Sequence, residues 1–517
     1  MEENPVIITN GYVLCCDPGN RAGRFHVLVR DGRIQEIGGS LEMLTALHPS
    51  ATIIDATDKL IVPGLVNAHY HTLSFLLQEL TAGKPFSSWK ADRILRDHFQ
   101  AFAEPGNADR LSVVARAASL AHLKSGTTCV GNFPPPVDAH GVDALVAAED
   151  SIGLRSVMML QTWDQIARVR QGKQAGRRFL VSLGREDDYT VYSFENHVRS
   201  AKELGCAVIA HAGEQRSDID LVRRNFSKSL AALFRDFGAL QPSTLLVHMN
   251  HAGKENVELL TEAGASLALC VASAARKQTG YPLLRMLTGR PARLCLGTDW
   301  GSTDMVAEMR FILNLPRLFA GMPVFSPLEV VRMGTINGAE ALGVADEMGS
   351  IEVGKRADLT FFSLRDVRIP SPREGWTADK FAGLMLGSLS AQHVSEVMVG
   401  GRFLVSNGRS SAANEQDLIA ELGAVRDGVL PTGEQRPQAS LSVRAKVLAF
   451  TSGERTLTPE GELFIEGSAG VERSDSAGDI EQKPSPMPLR PSVTPHATVQ
   501  PELSKNVKKV FGEDEDL

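Results

Sequence analysis

The chain has 517 residues, of which 43% are hydrophobic and 22% charged, with a net charge of −7. That length suits a barrel with appendages, and the composition is that of a globular protein able to bury a large core. The acidic excess argues against nucleic acid or a membrane surface as the main partner, and apolar runs of about 10 residues fall short of the roughly 20 that span a bilayer.

Residues 6–60 read as short strands: Val6–Thr9, Val27–Val29, Ile34–Ile37 and Thr52–Asp55. The turn Arg30-Asp31-Gly32-Arg33 is a hairpin signal. The N-terminus lacks the basic start and apolar run of a signal peptide, so the cytoplasm is the expected compartment. A second β-rich stretch follows much later, through Leu359-Thr360-Phe361-Phe362, Val394–Val399 and Phe403-Leu404-Val405. The two together predict one small β-sandwich assembled from both ends of the chain. Between them, apolar strand-like runs alternate with helical periods such as Ala108–Ser125 and Phe194–Leu204, the pattern of a parallel sheet built from βα units. The strand candidates are Ile61–Ala68, Thr127–Asn132, Arg155–Gln161, Phe179–Ser182, Val208–His211, Thr244–His248, Ser266–Cys270 and Arg293–Gly297. Eight is the number that a (β/α)8 TIM barrel requires.

The expected organisation is therefore sandwich over 1–60, barrel over 61–350, sandwich again over 351–410, and an extension over 411–467 with a helix at 414–427. Residues 468–517, rich in Pro, Ser, Glu and Lys, read as a disordered tail. Of six cysteines, no two are spaced C-x-x-C, and Cys206, Cys270 and Cys295 read as buried reduced thiols.

The chemistry gathers at strand ends. Pro63-Gly64-Leu65-Val66-Asn67-Ala68-His69-Tyr70-His71 is an apolar strand ending in His-x-His. Strand side chains alternate, so His69 and His71 share a face and Tyr70 takes the other. Two imidazoles there form half a metal site. His211 ends Val208-Ile209-Ala210, with Glu214 three residues on; His248 ends Leu245-Leu246-Val247; Asp299 follows Leu294-Cys295-Leu296-Gly297-Thr298. The intervals His71–His211, His211–His248 and His248–Asp299 are 140, 37 and 51 residues, which fit four, one and two βα units. All candidates therefore fall on the C-terminal rim, at strands one, five, six and eight, where barrel active sites sit.

From about residue 6 to 410 the pattern resembles the amidohydrolase superfamily, in particular its aminohydrolase branch of guanine, cytosine and S-adenosylhomocysteine deaminases and triazine hydrolases. Thr335-Ile336-Asn337-Gly338-Ala339-Glu340-Ala341-Leu342-Gly343 and Gly349-Ser350-Ile351-Glu352-Val353-Gly354-Lys355-Arg356-Ala357-Asp358-Leu359 add to the resemblance. It implies that His69, His71, His211 and Asp299 hold one divalent ion, with Glu214 and His248 as proton-handling residues. No lysine follows strand four, where binuclear relatives carry a carboxylated one, so a single ion is expected. Zinc suits three imidazoles and a carboxylate, with iron as the alternative. The implied reaction is hydrolysis of a carbon–nitrogen bond in an amino-heterocycle through a metal-bound hydroxide. Asp299 takes the water proton, His248 orients the hydroxide, and Glu214, if protonated, donates to the ring nitrogen.

Departures from the family lie in the pocket wall. Gly184-Arg185-Glu186-Asp187-Asp188 replaces a histidine-bearing loop after strand four. Cys270-Val271-Ala272-Ser273-Ala274 replaces His/Cys-Pro-x-Ser-Asn after strand seven, and the loop from Trp300 to Asp304 is shortened. Trp89, Arg185, Arg276 and Trp300 are the candidate substrate contacts. Trp89 reads equally as packing, and the Arg276–Lys277 pair reads either as an attraction for an anionic group or as solvated loop charge. The partner is then a small molecule, with a homo-oligomer allowed. Two other functions compete: hydrolysis of a different leaving group (cyclic amide, alkylamine or halide) on a similar ring, and a catalytically silent barrel scaffold.

Overall fold

Two tight turns hold the chain's ends together. In the first, Asp31 and Gly32 have φ of 51° and 72°, the left-handed pair that a two-residue hairpin needs. A Cβ on Gly32 would come within 2.8 Å of the Gly400 carbonyl oxygen, so this turn sits directly on the later Gly400-Gly401 turn. The computed structural model describes residues 4–429, apart from 90–91, 104–106, 136, 173–177, 288–291 and 320–323, together with 456–457 and 463–464.

One sheet is wholly N-terminal, in the order Arg33–Ile37, Val27–Arg30, Val6–Thr9, Thr52–Asp55. The other draws on both ends, in the order Arg409–Ser410, Arg402–Ser406, Val394–Val399, Leu359–Ser363, Lys59–Pro63, Tyr12–Leu14, Ala22–Arg24. Ile8, Val29, Ile61, Phe361 and Met398 share one buried cluster across the two sheets. The sandwich expected from both termini is there, with one correction. The single candidate strand Ile61–Ala68 is two strands broken at Gly64: Lys59–Pro63 belongs to the sandwich and Leu65–His71 is the first barrel strand. The Pro63-Gly64 dipeptide inside the apolar run is the local sign of that break, while strands buried on both faces otherwise read alike.

The barrel strands are Leu65–His71, Thr127–Phe133, Arg155–Leu160, Arg178–Ser182, Val208–Ala212, Leu245–His248, Ser266–Leu269 and Arg293–Leu296, hydrogen-bonded in chain order. Every pair is parallel. The first and last strands meet where the Asp299 amide donates to the His69 carbonyl at 2.9 Å. Val66, Met159, Ile209 and Val247 of the barrel strands form a cluster with Ala339, Leu342 and Met348, so helix Ile336–Ala341 and the segment after it pack against the barrel interior. The predicted C-terminal helix is Glu415–Val429. In the chain's second compact unit, Thr456–Leu457 pairs antiparallel with Leu463–Phe464. The expected disordered tail lies outside the described residues. Among the described residues no helix is long and apolar enough to cross a membrane. Cys270 and Cys295 are buried as expected, whereas Cys206 is half-buried.

A polar clasp fixes strand one against strand eight. Asn67 Nδ2 donates to Thr298 Oγ1 at 2.7 Å, and the Thr298 amide donates back to Asn67 Oδ1 at 3.0 Å. Behind it, His122 on helix Ala108–Lys124 is 1% exposed; its Nδ1 lies 2.9 Å from the Ala118 carbonyl and its Nε2 3.3 Å from Asn67 Nδ2. These partners assign a neutral ring with its proton on Nδ1. Burial lowers the His122 pKa from 6.5 to about 4. The unfolded chain therefore takes up this proton first, and the stabilisation is complete above about pH 6.5 and lost as pH falls toward 4. We expect the stability advantage of the native protein over His122→Asn to shrink by up to about 3 kcal/mol across that window, in denaturant titrations at several pH values. An advantage independent of pH would show that the ring is not held neutral.

Candidate metal centre and active site

The rim brings His69, His71, His211 and Asp299 together, one donor atom from each lying within 4.8 Å of the others. His71 Nε2 is 3.2 Å from both His69 Nε2 and His211 Nε2, and 3.1 Å from Asp299 Oδ1. Two nitrogens bound tetrahedrally to zinc at about 2.0–2.1 Å lie roughly 3.3 Å apart, so the observed spacing fits donors to one shared ion. Asp299 Oδ1 is buried without a hydrogen-bond partner, a costly state for a carboxylate oxygen unless a cation takes it. Burial lowers the His71 pKa to about 4 and holds His211 well below its usual value, which keeps both rings in the neutral, ligating form. The donor set fits a divalent cation.

Several contacts fix these groups. The Tyr189 hydroxyl donates to the His211 carbonyl at 2.7 Å, and the Phe133 ring stands edge-on to His211 at 4.5 Å. Tyr70 turns away as alternation predicts and packs on His122 at 4.5 Å. A Cβ at Gly297 would come within 2.8–2.9 Å of the His69 Cβ, amide nitrogen and carbonyl oxygen, so only glycine permits this crossing. His248 and Asp299 both have left-handed backbones, φ 76° and 50°. Non-glycine residues there cost of order 1–3 kcal/mol and gather at functional sites.

On the far side of Asp299 lies a second group, Glu214 and His248, each 1% exposed. His248 Nε2 is 3.7 Å from Glu214 Oε2 and 3.9 Å from Asp299 Oδ2, and it has no hydrogen-bond partner. Asp299 Oδ2 accepts from Ser273 Oγ at 2.6 Å and from Lys277 Nζ at 2.5 Å. Glu214 accepts from Lys277 Nζ at 2.7 Å and from Arg185 Nη2 at 2.8 Å. Burial works against charge on Glu214, yet His248, Lys277 and Arg185 together bring its pKa down to about 2. These cations hold Glu214 toward the carboxylate, whereas the sequence reading has it donate a proton if protonated.

Among the candidate substrate contacts, Arg185 is spent on Glu214, with Asp218 at 3.9 Å. Arg276 Nη1 holds the Trp300 carbonyl at 3.2 Å. Trp89 packs on Trp300 at 5.0 Å, and Trp300 lies 5.9 Å from the His71 ring. Lys277 is the correction. It is not a solvated loop charge but is 2% exposed at the centre of the site. It ends the short helix Val271–Lys277, whose i,i+4 residues Ser273 and Lys277 both reach Asp299. That spacing was the available signal; three alanines and no clear apolar period concealed the helix.

The Amidohydrolase family profile matches residues 60–404, well over half of the chain. The chain belongs to the amidohydrolase family. It is thus a hydrolase of carbon–nitrogen bonds that uses a divalent metal. A 5-methylthioadenosine/S-adenosylhomocysteine deaminase of Moorella thermoacetica is 26% identical over 416 residues, covering 77% of this chain and 94% of its own. Two zinc-containing structures share the fold. An adenosine deaminase from Xanthomonas campestris has a TM-score of 0.73 at 22% identity, over 82% of this chain and 98% of its own. An atrazine chlorohydrolase from Arthrobacter aurescens TC1 has a TM-score of 0.70 at 20% identity, over 81% and 100%.

Proposed function

We propose that this amidohydrolase deaminates an amino-heterocycle, replacing a ring amino group by a carbonyl oxygen from water and releasing ammonia. The observation that carries the reading is Asp299 standing between two groups, with three histidine nitrogens on its Oδ1 side and Glu214 and His248 on its Oδ2 side. Similarity to a curated deaminase supports it. His69, His71, His211 and Asp299 hold the ion, for which the nitrogen-rich donor set favours zinc. When bound, it would supply Lewis-acid activation of a water molecule.

The protein's own groups handle the protons. Glu214, starting as the carboxylate, takes a proton from the attacking water and delivers it to the ring nitrogen beside the carbon under attack. His248, its Nε2 free of protein partners, orients that water. As the carbon–nitrogen bond breaks, the amine leaves with a second proton passed through Asp299 or Glu214. Trp89 and Trp300 give the ring an apolar face to stack on.

The test is metal analysis of purified protein followed by an ammonia-release screen over aminopurines, aminopyrimidines and aminotriazines. One bound ion per chain and ammonia from at least one class is the expected result. Release of chloride or alkylamine without ammonia would move the reading to another leaving group, and a metal-free protein would leave the silent scaffold.

A further inference from the structure

Lys277 lies at the centre of the site, and the deamination chemistry gives it no task. A lysine 2% exposed keeps its charge only when paired, and its partners are the two reaction carboxylates, Glu214 and Asp299. Each of these has another cation: Arg185 on Glu214, and the metal side on Asp299 Oδ1. An ammonium has three N–H donors. Glu214 and Asp299 take two. Among the described residues the third has only aromatic faces near it, Phe86 at 4.6 Å and Trp89 at 5.5 Å. Trp89 belongs to the wall on which the substrate ring stacks.

The charge of the pocket points the same way. Glu214, Asp299 and Asp218 face Arg185 and Lys277, so a bound divalent ion leaves the cavity net positive. Glu186 and Glu308 weigh less against this, because burial pushes their pKa values up to about 8 and about 7, toward the neutral acid. Arg276, bonded to the Trp300 carbonyl, adds a further positive charge at the same rim. A buried site with an excess of cations favours a ligand that brings negative charge with it.

We infer that Lys277 is the specificity-determining residue of this pocket, and that it donates its third N–H to a negatively charged oxygen borne by the substrate ring. The substrate class is then an anionic amino-heterocycle, not a neutral base. The inference rests on the deaminase reading for where the ring lies, and its test is a binding measurement that does not depend on turnover.

Zinc-loaded protein is titrated calorimetrically, near neutral pH, with two pairs that share a ring skeleton and differ in charge and exocyclic oxygens: urate against hypoxanthine, and barbiturate against uracil. Wild-type protein should bind at least one anion about tenfold or more tighter than its neutral partner. K277M should bring that ratio to within about twofold while keeping its zinc, and K277R should retain part of the preference. Should K277M fail to fold, K277Q is read in its place, because its amide still donates to Glu214 without carrying charge. An unchanged ratio in the variants, equal or better binding of the neutral rings by wild type, or no anion bound below millimolar concentration overturns the inference. The two readings fail separately. Full zinc without discrimination removes the role of Lys277, whereas discrimination without stoichiometric zinc keeps that role and removes the metal-dependent deaminase.

Discussion

Replacing His69 and His71 together by alanine should abolish stoichiometric metal binding and turnover while leaving the barrel folded. Each substitution removes an imidazole whose Nε2 lies 3.2 Å from its neighbour's, so the pair accounts for two of the four converging donors. Loss of an outer partner of a metal site costs roughly 10–100-fold in affinity, and loss of two direct ligands must exceed that. The fold should survive because these residues are held by the strand they end. The contacts that close the barrel there are the His69 carbonyl, a backbone group, and the Asn67–Thr298 clasp, neither of which the substitutions touch. Metal content per chain, far-ultraviolet circular dichroism and ammonia release on one sample decide it. Full occupancy in the double variant would sink the ligand assignment.

The second large effect is expected from Glu214→Gln. The variant should keep its metal, because the four-donor cluster does not include residue 214, and its turnover should fall by about 10²-fold or more through loss of proton transfer. Glutamine keeps the shape but no longer offsets Arg185 and Lys277. Removing one partner of a buried ion pair costs up to about 3–5 kcal/mol. Here the loss should be smaller, since Arg185 retains Asp218 at 3.9 Å and Lys277 retains Asp299 at 2.5 Å. Melting temperature separates that structural cost from the catalytic one, because activity is read well below the transition. If the variant lost its metal, the Glu214–His248–Asp299 group would be the cation site instead.

What the sequence carried, and what it hid, follows from the range of the interactions concerned. The barrel was legible because each strand is an apolar run of four to seven residues with a helical period after it, a signal contained within one βα unit. The ligands were legible because a barrel places strand ends on one rim, so histidines and an aspartate at those ends must meet. The break at Gly64 carried only the Pro63-Gly64 turn signal, and what assigns Lys59–Pro63 to the sandwich is its pairing with Leu359–Ser363, far away in the chain. The ionisation of Glu214 was hidden for a similar reason. It depends on Arg185 and Lys277, which stand 29 residues before it and 63 after it and meet only in the folded barrel. Lys277 itself looked solvated because sequence shows a charge but not the helix that carries it inward.

The sandwich has a consequence for how the protein is made. Lys59–Pro63 leaves the ribosome early, yet one of its two neighbours in the sheet, Leu359–Ser363, is synthesised about 300 residues later. At roughly 5–20 residues per second the strand waits about 15–60 s with that side unpaired. Leu60, Ile61 and Val62, wholly buried in the finished protein, would meanwhile form an open apolar edge, the kind that recruits other chains. The whole barrel is made during this interval, so its folding competes directly with self-association of the nascent chain. Chains that stall or are cut before about residue 360 never receive the strand that ends the wait.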